Sequence, residues 1–238
     1  MKPDTLEFLH TTMARINADE RAAREEYYAY LLTQGDSSDT LDEHIAKYSS
    51  FVALGVPASP PSIDALRKLS APELPETLLN FYRTVGSIKG GDRLKGLVLH
   101  SPDTLILKSS PNPTSPWDCV PSMGLVDIIR WSWGNDRFEF DPASGDGLTQ
   151  AEVEHLNARY SAVGWYDVLE GEGREYLIFD RSGAFATLFY HQDAFDELYA
   201  DSLLPMLSGE MSVATSFDEA LVTLLTKAEA DEWEELDE

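Results

Sequence analysis

The chain has 238 residues, 43 % of them hydrophobic and 11 % aromatic, so it holds ample material for a packed core and global disorder is excluded. It carries 42 acidic and 18 basic side chains, a formal net charge of −24. That charge excludes nucleic acid and anionic membranes as main partners, because their phosphates would be repelled; it suits a basic protein partner, or solubility alone.

Residues 4–33 read as helix, since Leu6, Leu9, Met13, Ile16, Ala23, Tyr27 and Tyr30 recur in steps of three and four. Asn17 followed by Glu20 resembles a capping box that restarts the helix. Beyond a loop at 35–39, Asp39 or Thr40 should cap a second helix that runs to about Leu54 and stops at Gly55 and Pro57. Ala58-Ser59-Pro60-Pro61-Ser62 reads as a hinge, because two adjacent prolines remove two donors and bias Ser59 away from helix. Ile63, Leu66 and Leu69 mark a short helix. Leu74-Pro75-Glu76 opens another that should bury Leu78, Leu79, Phe81 and Tyr82 and end near Gly86.

The character then changes. Residues 96–100 and 104–108 are short β-type runs separated by Ser101-Pro102-Asp103, and a Pro-rich connection follows to Pro121. Residues 125–131 predict a third strand and 137–140 a fourth. Thr149 with Glu152 matches a capping box that starts a helix through about Tyr160. Residues 176–180 and 186–190 should form a hairpin around Arg181-Ser182-Gly183. Residues 194–208 look helical in part, and Ser212-Val213-Ala214 extended. Ser216 should cap a final helix that turns Phe217, Leu221, Leu224 and Leu225 inward. The class expected is α+β: a mainly antiparallel sheet flanked by helices, with a helical N-terminal extension. Three regions follow from this reading: the extension at 1–57, an α+β domain at 58–227 and an acidic tail at 228–238. The tail packs seven acids around Trp233 into its last ten residues, and the acid excess grows from front to back.

The chemistry-bearing residues are sparse. No two of His10, His44, His100, His155 and His191 stand three to five apart, so no helical metal pair is offered. The lone Cys119 cannot form an internal disulfide. Twelve residues from Asp141 to Glu152 have an acid at each end, as a calcium loop does. Ala143, Gly145 and Asp146 fail its ligand and glycine positions, and a turn into a capped helix is the better account. The glycines at 86–91 lack the Gly-Lys-Ser/Thr of a phosphate loop. Acid pairs such as Glu170 with Glu172 are common in so acidic a chain and carry little information; an enzyme would use, for example, Asp180 and His191. No metal or other cofactor is expected. The start of the chain has acids where a signal peptide would be apolar, and no run approaches the length of a membrane span, so a cytoplasmic protein is expected.

Four stretches carry a family resemblance. They are the helix Leu74-Pro75-Glu76-Thr77-Leu78-Leu79-Asn80-Phe81-Tyr82; the Gly-containing turn into Leu97-Val98-Leu99 with the Ser101-Pro102-Asp103-Thr104-Leu105 step; Tyr176-Leu177-Ile178-Phe179-Asp180-Arg181-Ser182-Gly183 with its partner ending Phe189-Tyr190-His191; and Val213-Ala214-Thr215-Ser216-Phe217-Asp218-Glu219-Ala220-Leu221. In order and spacing the segment from about Ser62 to Lys227 resembles the SUKH superfamily, which holds fungal cell-wall-synthesis regulators of the Knr type and many bacterial toxin-immunity proteins. The resemblance implies a non-enzymatic protein-binding domain, first of all an immunity protein that neutralises a basic partner such as a nuclease-type toxin through an acidic surface. The alternative it implies is a regulatory scaffold module unrelated to toxins, whose N-terminal helices recruit partners. The contact residues chosen on this reading are Trp133, Asp136, Glu139, Asp141 and Asp146, an aromatic and acidic set around the third and fourth expected strands.

Overall fold

The computed structural model of the chain describes residues 1–36, 38–69, 74–108, 124–133, 147–168, 172–211 and 216–230. Helix α1, Pro3–Gln34, runs without a break for about 48 Å. Gly35 ends it in the left-handed region at φ 72°, with its own N–H and that of Asp36 bonded back to Leu32 and Leu31. The expected restart at Asn17 does not occur. The Asn17 amide instead bonds both polar groups of Val52, donating at 2.9 Å and accepting at 2.8 Å, while Glu20 accepts the Ser50 N–H. Those bonds also explain why α2, Leu41–Tyr48, is shorter than expected: the backbone beyond it is held by α1. Thr40 caps α2 in a reciprocal box with Glu43.

Strand β1, Ala53–Leu54, follows. The expected hinge at 58–62 is a helix start. Ser59 Oγ accepts the Ser62 N–H, and Pro60 and Pro61 occupy the first turn of α3, Pro60–Leu69, where no N–H is required. Helix α4, Glu76–Thr84, buries Leu78, Leu79, Phe81 and Tyr82 as expected. Gly86 follows at φ 80°, packed so closely that a Cβ would lie 1.9 Å from the Val56 carbonyl oxygen. Strands β2, Ile88–Lys89, and β3, Val98–Leu99, come next.

Two expected strands are helices. Ser101 Oγ accepts the Thr104 N–H at 3.1 Å, and Pro102 opens α5, Pro102–Lys108, so the Ser-Pro-Asp step is a helix cap rather than a turn between strands. Residues 125–131 lie in α6, Leu125–Trp133. Leu125, Val126, Ile128 and Ile129 are buried in helical spacing, and Asn157 Oδ1 accepts the N–H groups of Val126 and Asp127. That cap arrives from a residue about thirty positions away. The fourth strand expected at 137–140 lies outside the described residues.

Helix α7, Gln150–Arg159, starts at the expected Thr149–Glu152 box. Three long strands follow: β4, Tyr160–Val168, β5, Gly173–Asp180, and β6, Phe185–His191. Helix α8, Phe195–Leu198, a π-helical turn at Tyr199–Leu203 and α9, Leu204–Leu207, lead on to α10, Phe217–Ala230. Ser216 and Glu219 box its first turn. The extended stretch expected at 212–214 and tail residues 231–238 lie outside the described residues.

The strands form one antiparallel sheet in chain order, β1 to β6, so the fold is α+β. One sheet face carries Phe179 and Phe185, which pack on Phe217 of α10 at 5.3 and 5.5 Å between ring centroids; Phe81 of α4 meets the same ring edge-on at 5.5 Å. Leu9, Met13 and Ile16 of α1 join this core, and α1 packs along α10. Helix α6 packs on β4 and α7, and its last turn reaches the opposite sheet face. None of the described helices is long and apolar enough to cross a membrane.

Candidate functional site

The site is built where that last turn meets the sheet. Alternation along a strand puts every second side chain on one face, and the register pairs Trp165 with Tyr176 and Asp167 with Arg174, which in turn faces Tyr190 on β6. These residues therefore share the face that α6 approaches. Trp131 of α6 meets Trp165 edge-on at 5.4 Å, and His100, just past β3, stands 4.7 Å from Trp131 and 5.1 Å from Trp165. Trp165 lies 6.2 Å from Tyr176.

Arg174 ties the cluster together. Its Nε donates to Asp167 Oδ1 at 2.9 Å and its Nη1 to the Ser132 carbonyl at 2.6 Å, among the final carbonyls of α6, where a cation also suits the helix dipole. Its guanidinium covers the Trp133 ring at 4.1 Å, and the Trp133 ring meets Tyr190 edge-on at 6.2 Å. Ser132 Oγ hydrogen-bonds the Tyr176 hydroxyl. Burial pushes the Tyr176 phenol well above its ordinary value, against the opposing effects of Ser132 and Arg174, so it stays protonated at neutral pH. The result is an aromatic platform in which Asp167 neutralises the Arg174 guanidinium.

Of the contact residues chosen from sequence, Trp133 stands in this platform, half-buried and clamped beneath Arg174. Asp136, Glu139, Asp141 and Asp146 lie outside the described residues, as does Cys119. The structure adds His100, Asp167, Arg174 and Tyr176 to Trp133. Sequence reading missed them because each is ordinary alone and gains meaning only from cross-strand register.

Asp180 and His191 do not meet. His191 pairs with Gly173, and Asp180 lies at the far end of the same strand, about 23 Å away at 3.3 Å per residue. Asp180 Oδ1 instead accepts from Ser182 N, Ser182 Oγ and Ala184 N, shaping the β5–β6 turn. An open depression beside that turn is lined by His155, Arg159, Asp180, Arg181 and Ser182. Arg159 ends α7, and Arg181 donates to the Ala158 carbonyl there, a structural use of the Arg181 charge. Among the described residues, no group of three or more His, Cys, Asp or Glu could hold a metal ion. Compared with known proteins, the chain matches no family model, no curated protein and no solved structure.

Proposed function

We propose that the chain is a non-enzymatic protein-binding domain of SUKH type that acts in the cytoplasm as an immunity protein, neutralising a basic, nuclease-type toxin through an acidic surface. One observation carries the reading. If each of the 18 bases neutralised one of the 42 acids, 24 negative charges would remain unbalanced within the chain. Such an excess speeds encounter with a basic protein and can mask the phosphate-binding cleft of a nuclease. The four motif stretches and the antiparallel sheet flanked by helices support the family part of the reading.

The test is co-expression with the product of the adjacent gene. A stoichiometric complex that weakens with salt, together with restored growth of the host, is the expected result. Neither protection nor a complex would overturn the reading.

A specific observation favours the scaffold alternative. The distal half of α1 with α2 presents exposed Tyr27, Tyr30, Leu32 and Tyr48. Deleting residues 1–57 is a poor way to separate the two readings, because it would remove Leu9, Met13 and Ile16 from the core and β1 from the sheet. The double substitution Y27S/Y30S leaves both in place. Toxin neutralisation should survive it, whereas a scaffold would lose its partner.

A further inference from the structure

The sheet face opposite the Arg174 platform is only half covered. Near the β5–β6 turn it is sealed by Phe217 of α10, but towards the other end of the hairpin Thr187 is exposed and Phe189 is 39 % exposed. There the register sets Tyr166, Glu175 and Phe189 in one row across β4, β5 and β6. Gly173, two residues before Glu175 on the same face, leaves room for the Phe189 ring, which a Cβ at that position would meet at 2.7 Å. The Glu175 carboxylate therefore stands half-buried between a phenol and a phenyl ring. Thr187 stands beside it on the same face and favours its charged form, and among the described residues no ion pair reaches it.

We propose that the Tyr166–Glu175–Phe189 row is a receptor for one arginine or lysine side chain of a basic protein partner. The apolar stem of that residue lies along the rings and its charged head meets the carboxylate. This rests on the binding role proposed above and deepens it by naming a contact. Charge complementarity selects the occupant: a chain of net charge −24 draws basic partners, and a partly desolvated carboxylate that no cation among the described residues pairs gains most from one. Burial raises the Glu175 carboxyl above its ordinary value, and a cation beside it would oppose that shift.

The test titrates the isotope-labelled full chain with an octa-arginine peptide and follows backbone amide resonances. The amides of Gly173, Glu175, Thr187 and Phe189 should shift saturably. E175Q should weaken that response about five-fold, the effect of losing roughly 1 kcal/mol of a charge-assisted contact. F189A should weaken it as well. E210Q, which removes an equal charge from an exposed site, should change it by less than two-fold. Shifts confined to the acidic C-terminal residues, or an equal response in E175Q and E210Q, would overturn the row while leaving the acidic-surface reading intact. No shifts anywhere at low salt would overturn both.

Discussion

At the scale of single residues, several polar side chains bridge distant backbone segments. Asn17 offers its amide to both groups of Val52, so N17A leaves a donor and an acceptor of a half-sealed backbone without partners. A loss of about 2 kcal/mol is expected in urea unfolding, and a change below about 0.5 kcal/mol would contradict the bridge. Arg174 combines an ion pair, a bond to the Ser132 carbonyl and a stacked indole, which a lysine cannot reproduce because its single ammonium has no planar fork. R174K should therefore cost about 1–2 kcal/mol and shift tryptophan emission to the red as Trp133 loses its cover. Glu175 has the opposite sign. Its folded-state carboxyl lies above the ordinary 4.5, so the folded chain holds the proton longer than the unfolded chain, and stability falls as pH rises through that interval. E175Q should remove the slope and be more stable than the parent at neutral pH, with the gap closing as pH falls below the carboxylate range. A destabilised E175Q at neutral pH would refute the burial account.

At the scale of elements, caps decided more than propensity. The boxes Thr149–Glu152 and Ser216–Glu219 were legible because cap and partner are three residues apart, whereas between Asp39 and Thr40 the structure decides for Thr40, boxed with Glu43. T149A should cost about 1 kcal/mol in thermal unfolding. Ser59 and Ser101 cap helices too, but the prolines after them read as a hinge and as a turn. A proline is as much at home in the first helical turn as in a loop, so the two readings separate only when the following apolar residues have a core to face. The stretches at 104–108 and 125–131 failed for a related reason. A short apolar run does not declare its period, and α6 gains its N-terminal partner from Asn157 across the fold. The inward faces of α4 and α10 match expectation at Leu78, Leu79, Phe81, Tyr82, Phe217, Leu221, Leu224 and Leu225, whereas the stripe expected along α1 is buried only at Leu9, Met13 and Ile16 and is exposed at Ala23, Tyr27 and Tyr30, where no core faces it.

At the scale of the whole molecule, charge and connectivity set the behaviour. A net charge of −24 repels itself within the folded shape, and added salt screens that repulsion. Raising sodium chloride from low ionic strength to about 0.5 M should raise the melting temperature; a fall would mean that attractive surface pairs dominate. The α+β class, the hairpin and the inward faces followed from composition and local pattern, because period, caps and turn residues act over a few neighbours. The sheet order, the role of α1 as a core helix on α10 and the assembly of the Arg174 platform did not, nor did the half-buried position of Glu175. Each depends on residues tens of positions apart meeting on one face, and strand register alone settles which side chains share it.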